Sequence, residues 1–470
     1  MDEPTSPTSP RPDLPHSGKT ARKWLMATLR WGIAVVGIWW VLSQISFSDK
    51  VLVVQSSNIQ QPVAQMSLTT PDAGENDPAY HVVGRTVPVL RSEVLNKPDK
   101  KNQILQFRDA VGKTESGKLL GLDLTETVPH QPRRFYIQVP EQPAQWIAPQ
   151  QLLTPYDLKV PYPRVDIGVA RLIRQASQKN LWLLVLAIVV FPITFILTAF
   201  RWHELLKALD IRITLSLTFT LNMVGAFYNT FMLGSTGGDV LKALYISRQT
   251  PHRTRAVMSV FVDRVIGLLA LIIIGCIAAA TQWHIPQCRH IAIVSMVILA
   301  GTALGLLIFY QPTLHRLFGL DWIIAHLPMQ KQVHNAMEVM MIYRRRPGLV
   351  LLALVATFPV HITVILSAMF AGLAFDLPLA PSYYWAIVPV IVLIASIPIS
   401  PQGAGVMEYF AVRLTETRGA TVSQAFALTM SIRLVQILWN LTGAYFVLRG
   451  HFHAPTEADR EEFRQDIGED

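Results

Sequence analysis

The sequence predicts an α-helical polytopic membrane protein. It has about six full transmembrane helices plus two re-entrant helical hairpins in an inverted repeat, with a small β-rich extracytoplasmic insert. Three observations carry this prediction. First, 51% of the 470 residues are hydrophobic and only 16% are charged, with a mean hydropathy of +0.33, too apolar for an ordinary soluble protein. Second, apolar runs of about 20 residues, the length a ~30 Å hydrocarbon core requires, recur along the chain. Third, two hydrophobic stretches break at glycine-rich polar sequences, and each resumes as an apolar helix bearing one acid. The first, 215–233, stops at Gly234-Ser235-Thr236-Gly237-Gly238-Asp239 and resumes through Val240-Leu241-Lys242; the second, 385–399, stops at Ser400-Pro401-Gln402-Gly403-Ala404-Gly405 and resumes through Val406-Met407-Glu408. Matched broken helices in two halves of a membrane protein point to a buried substrate site, because irregular backbone at membrane depth is tolerated only inside protein or a watery cavity.

The elements follow in order. Residues 1–23 are rich in Pro, Ser and Thr and read as a disordered cytoplasmic tail. Lys19, Arg22, Lys23 and Arg30 precede the apolar run 31–45, so 24–46 reads as an uncleaved anchor with the N-terminus cytoplasmic. The long polar segment 47–170 contains short β-type runs, such as 79–83 and 134–139, between Pro, Gly and Asp turns. It reads as an extracytoplasmic β-rich insert with 145–153 a candidate last strand of an SH3-like barrel. It carries no catalytic constellation, and recruiting a protein partner or acting as a spacer is its default role. The transmembrane domain occupies 180–450, with crossings at about 181–200, 257–281, 291–310, 349–372 and 424–448. A short acidic cytoplasmic tail, 451–470, ends the chain.

Basic residues orient the spans. Arg201, Lys207 and Arg212 follow the second crossing; Arg248, Arg253 and Arg255 precede the third; Arg316, Lys331, Arg344, Arg345 and Arg346 separate the fourth and fifth. The links opposite carry few, a positive-inside pattern with both termini cytoplasmic. Arg171, Arg174 and Lys179 fall on the wrong side, at the end of a long domain where the rule is weak. For the loop 248–255 to stay inside, 215–247 must enter and leave from the cytoplasm; by the same logic 385–418 enters and leaves from outside. The net charge of +9 is thus spent on topology, and no groove-reading motif accompanies it, which argues against a nucleic-acid partner. Cys276 and Cys288 build neither a disulfide framework nor a metal site.

A helix restarting in the membrane points N–H groups and a positive dipole end at whatever fills the break, a site suited to phosphate or carboxylate. Gly237, Gly238, Gly403 and Gly405 allow close backbone approach, and Lys242, within the first turn after Asp239, adds an ammonium. Equally, Asp239 and Glu408 fit the bland role of acids stabilising their own helix starts. Asp263-Arg264 and Arg433 lie inside apolar spans, where ionisable groups are costly and pair or line polar cavities. Asp239 with Arg264 and Glu408 with Arg433 are the expected cross-helix pairs, either functional or purely structural. Asn222, Asn229 and His361 read as interhelical hydrogen-bonding groups. The breaks are not Walker loops, since no Lys-Ser or Lys-Thr follows at the required spacing, and no cofactor or metal motif is found.

Arg201-Trp202-His203, the run from Asn229 to Gly237-Gly238-Asp239-Val240-Leu241-Lys242-Ala243, Val262-Asp263-Arg264-Val265-Ile266-Gly267-Leu268, Ser400-Pro401 with Gly403-Ala404-Gly405 and Glu408, and Arg433 together resemble the lysylphosphatidylglycerol synthase transmembrane region. This flippase-like integral membrane domain also occurs as a stand-alone family and in an archaeal dolichol-glycosylation protein. The resemblance covers roughly 180–450 and implies a stand-alone member, without the soluble aminoacyl-transferase domain, in the bacterial cytoplasmic (inner) membrane. It further implies binding and translocation of an anionic phospholipid or polyprenyl-phosphate-linked amphiphile. The candidate substrate-binding residues are Gly237, Gly238, Asp239, Lys242, Asp263, Arg264, Gly403, Gly405, Glu408 and Arg433. The alternatives are a membrane-embedded enzyme of lipid or glycolipid modification and a non-transporting scaffold. Acids paired with bases but no nucleotide-binding motif favour transport or binding over catalysis.

The topology is open to a direct test. On a background lacking Cys276 and Cys288, an external thiol reagent should reach Arg418→Cys and miss Arg253→Cys. Labelling of Arg253→Cys from outside intact cells would sink the inward-entering hairpin and the inverted repeat with it.

Overall fold

The structure, a computed structural model, describes residues 39, 47–55, 61–69, 77–98, 103–109, 111–124, 132–156, 165–231, 237–311, 330–397, 403–450 and 452. The predicted tails, nearly all of the anchor and parts of both glycine-rich breaks (232–236 and 398–402) lie outside these residues.

Residues 47–166 form short strands: β1 Lys50–Val54, β2 Val63–Ser67, β3 Ala79–Tyr80, β4 Val89–Leu90, β5 Val94–Leu95, β6 Ile104–Arg108, β7 Thr114–Leu124, β8 Pro132–Gln138, β9 Gln145–Ile147 and β10 Val165–Asp166. β1 pairs antiparallel with β2, β5 and β10, and β6 to β9 form an antiparallel meander. Alternation along β6 sends Leu105 and Phe107 inward, where they meet Leu119, Leu122, Phe135, Ile137 and Ile147. One 3-10 turn after β9, Pro149–Gln151, brings Leu152 back to bridge Phe107 in β6. The meander therefore closes on itself.

The insert begins and ends at one point. The buried Asp49 carboxylate accepts the Gly168 N–H through Oδ1 and the Arg171 guanidinium through Oδ2, both at 2.8 Å. A Cβ at Gly168 would come within 2.5 Å of the Phe47 carbonyl oxygen, so only glycine fits where the two ends of the insert meet. Arg171, anomalous as a topology signal, is thus neutralised by its own domain. It lies on α1 (Val169–Lys179), whose Val169 packs on Val422 and Phe426 of the helical domain.

The helical domain continues as α2 Leu181–Val190, α3 Ile193–Ala208, α4 Leu215–Phe231, α5 Gly237–Ser247, α6 Arg253–Thr281, α7 Pro286–Tyr310, α8 Gln330–Arg345, α9 Pro347–Ala374, α10 Pro381–Ser396, α11 Val406–Thr415, α12 Val422–Leu441 and α13 Gly443–Gly450. Pro192 lies at the junction of α2 and α3, where the missing N–H relaxes the ladder. Five spans among the described residues are long and apolar enough to cross a bilayer: Leu181–Ala208, Arg253–Thr281, Pro286–Ile308, Pro347–Ala374 and Val422–Arg449. They coincide with the five crossings expected after the anchor. By contrast α4 has 17 residues and α10 has 16, short of the ~20 a crossing needs, and each packs against the still shorter helix that follows it.

Packing divides into two apolar cores. One joins the C-terminal half of α3, Leu221 of α4, Ala243 and Ile246 of α5 and the first half of α6 to the end of α8 and the start of α9. The other joins the ends of α6 and α9 to α10, Met407 and Ala411 of α11 and the first half of α12. Helices α6 and α9 run through both. The first core lies toward Arg253 and the second toward Arg418.

The Asp49 clasp predicts a local effect. Asp49→Ala removes a charge-assisted bond worth about 1.5–3 kcal/mol, and amide exchange should quicken in β1 and α1 while α3, α6 and α9 keep their protection. Uniform acceleration through the helical domain would contradict a local clasp.

Candidate functional site

Adjacent residues of α6 point to two different sites. Asp263 turns into the bundle, where Arg201 of α3 grips it with both prongs, Nε to Oδ1 at 2.7 Å and Nη2 to Oδ2 at 2.9 Å. Lys242 of α5 stands 3.6 Å from the same Oδ2. Its ammonium donates to Asn222 Oδ1 of α4 at 2.8 Å and sits 4.1 Å over the Trp202 ring, a cation–π contact. Asn222 in turn donates to Thr198 Oγ1, and Trp202 Nε1 donates to Ser259 Oγ. One buried carboxylate thus ties together α3, α4, α5 and α6.

This corrects two expectations. Arg201 is not a topology signal at a helix end; it is buried within α3 as the bidentate partner of Asp263. Lys242 is not offered to a ligand at the break, because its side chain is only 5% exposed and its ammonium is already engaged. The physical reason is rotational: three residues beyond Asp239 along a helix of 3.6 residues per turn is about 60° round its axis, enough to turn Lys242 inward.

Arg264 faces the break. Its Nη1 meets Asp239 Oδ2 at 2.6 Å and its Nη2 donates to the Ser396 carbonyl at 3.0 Å. Asp239 is in the first turn of α5, just after the first break, while Ser396 ends α10, just before the second. One guanidinium therefore links the start of α5 to the end of α10, at a place where Asp239 and Arg264 keep 30% and 24% side-chain exposure. Gly238 makes the approach possible: its N–H donates to Asn229 Oδ1 at 2.7 Å, and a Cβ there would stand 1.9 Å from the Gly225 carbonyl oxygen. Gly237 starts α5.

The second pair is closed. Glu408 Oε2 accepts the Gly405 N–H at 2.7 Å, capping its own helix, while Oε1 lies 2.6 Å from Arg433 Nη1 in an ion contact without hydrogen-bond alignment. Side-chain exposure is 3% for Glu408 and 14% for Arg433. Gly403 and Gly405 hold φ of +68° and +81°, the left-handed region that favours glycine. The structure thus brings together both expected acid–arginine pairs and places Asp263 and Lys242 in a separate buried cluster. His361 Nε2 contacts the Gly267 carbonyl oxygen of α6 at 2.8 Å. Arg201, Trp202 and Asn222 escaped the sequence-based site list; the signal available was the Arg201-Trp202 motif beside an acid, Asp263, that had no assigned partner.

A family model described as the lysylphosphatidylglycerol synthase TM region matches residues 165–443. The chain belongs to this family. Its match includes both breaks, both acid–arginine pairs and the Asp263 cluster, and leaves out nearly all of the β insert. Among curated proteins, a UPF0104 membrane protein from Pyrococcus horikoshii is 23% identical over 109 residues, covering 23% of this chain and 32% of that relative. The chain thus spans about a third of the relative's length. No solved structure matches. The protein is accordingly a multi-pass membrane protein of this family.

Coupling between Glu408 and Arg433 is measurable. Losing one partner of a buried pair costs about 3–5 kcal/mol, whereas losing both can be nearly neutral. Thermal unfolding of Glu408→Gln, Arg433→Leu and the double variant should show strongly non-additive losses; additive losses would mean the contact carries no energy.

Proposed function

We propose that this protein binds the phosphate-bearing head of an anionic lipid or polyprenyl-phosphate-linked amphiphile between two re-entrant hairpins and carries it across the bacterial inner membrane. The observation that carries the reading is Arg264, a partly exposed guanidinium joining the start of α5, just after the first break, to the end of α10, just before the second. Guanidinium is the side chain best matched to bidentate phosphate contact, and the N-terminus of α5 beside it adds a positive dipole end. Asp239 holds the arginine in place until a phosphate competes for it.

Two features support an inverted repeat as the frame. Each arginine follows its acid by 25 residues, in the α-helix after the one that bears the acid. Packing is also reciprocal: α10 lies against α6, α4 lies against α12 and α13, and α3 lies against α9. On this reading the hairpin α4 and α5 opens to the cytoplasm and the hairpin α10 and α11 to the outside. The β insert stands outside as a spacer or a docking module for a protein partner.

Lipid mass spectrometry of purified variants tests the cargo, and charge logic gives opposite signs. Arg264→Gln removes a charge-assisted contact worth about 1.5–3 kcal/mol, so retained anionic lipid should fall roughly ten- to hundredfold. Asp239→Asn removes the competing carboxylate and should raise retention. If neutralising Arg344, Arg345 and Arg346 abolishes retention while Arg264→Gln leaves it unchanged, binding is a surface effect and the proposal fails.

A further inference from the structure

The two acid–arginine pairs have the same spacing and opposite states. Asp239 and Arg264 are partly exposed, and Arg264 is bonded through both Nη groups to protein oxygens. Glu408 and Arg433 are enclosed by the core nearer Arg418, whose members Met407, Ala411 and Ile432 adjoin them in sequence. The enclosed arginine is poorly served: its Nε is buried with no hydrogen-bond partner among the described residues, and its Nη2 reaches only Met407 Sδ, at 4.0 Å. A buried donor left unmet is unfavourable, and a phosphate oxygen is the acceptor that a guanidinium fork takes best.

The two halves also differ in what locks them. Lys242 lies three residues after the first acid and Asp263 twenty-four after it; Ala411 and Ile432 stand at the same offsets in the second half. Arg201, Asp263 and Lys242 thus add a second charged contact among α3, α5 and α6, whereas at the matching positions of α11 and α12 the side chains are apolar and the Glu408–Arg433 pair is the charged contact between them. Building on the lipid-binding reading above, we infer that Glu408 and Arg433 form a second phosphate-binding station, shut in this conformation. The protein has a mirrored conformation in which that station opens toward the Arg418 face and the Asp239 and Arg264 station closes. Helices α11 and α12, which carry the pair, are the part that moves.

Site-specific labelling of the full-length protein in vesicles tests this without any lipid ligand. Cysteines replace Val240, which is exposed here, or Ala411, which is fully buried, on a background of Cys276→Ala and Cys288→Ala. The probe is a membrane-impermeant maleimide applied to either face. Glu408→Gln keeps an oxygen for the Gly405 N–H but removes the charge opposite Arg433, which disfavours the shut station. In that background, labelling of Ala411→Cys from the Arg418 face should rise about tenfold, as a minor state of order 1–10% becomes a major one, and labelling of Val240→Cys should fall. Glu408→Asp, which keeps the charge, should restore the wild-type pattern. Should Glu408→Gln not fold, Arg433→Lys, which lacks the fork, carries the same expectation. Unchanged rates at both sites, or a rise at both, would overturn the mirrored conformation. If labelling is reciprocal but Arg264→Gln leaves bound lipid unchanged, the motion stands and the cargo assignment falls. If lipid retention responds as proposed and labelling does not, a single station does the binding.

Discussion

The half of the helical domain built from α3 to α6 is arranged around one carboxylate. Asp263 lies on a 29-residue apolar helix, where an isolated negative charge is prohibitively costly. Arg201 answers it with a bidentate grip and Lys242 stands by, and together they leave the cluster with one formal positive charge in excess. That excess is spread over polar neighbours: the Asn222 amide and the Trp202 face for Lys242, and the Thr357 hydroxyl 3.5 Å from Arg201. Buried ion pairs are weak sources of net stability and strong sources of specificity in some folds. Here the requirement that every partner reach Asp263 sets the depth of α3, the angle of the α4 and α5 hairpin and the rotation of α6.

That rotation aims Arg264. Since successive residues on a helix diverge by about 100°, burying Asp263 forces its neighbour toward a different flank, the one on which Asp239 and the end of α10 converge. The geometry where α5 starts and α10 ends is therefore inherited from the buried cluster beside it. The glycine contact between α4 and α5 completes the arrangement, letting two backbones approach where any side chain would collide.

The five long crossings were legible because nothing but a bilayer or a very large core accommodates runs of 23 to 29 such residues. Both acid–arginine pairs were legible for a related reason: ionisable groups inside apolar runs need partners, and few were available. Arg201 was misread because it sits at the edge of the apolar run as scanned by composition, whereas α3 continues to Ala208 and places it well inside. The direction of Lys242 was illegible in principle from proximity along the chain, since it depends on which face of α5 meets Trp202. In the insert, the closing bridge between Leu152 and Phe107 depends on a long-range register that short strands specify only weakly.

The clasp at Asp49 bears on what this family can become. Because Phe47 and Gly168, at the two ends of the insert, lie side by side, the intervening residues form a pendant rather than a structural strut. Such a module can lengthen, shrink or be exchanged during evolution without any helix shifting register, since loop-closure cost grows only slowly with length. Its clasp also adjoins α1, whose Val169 packs on Val422 and Phe426 at the start of α12. A protein that seized the pendant would therefore hold a lever on that helix.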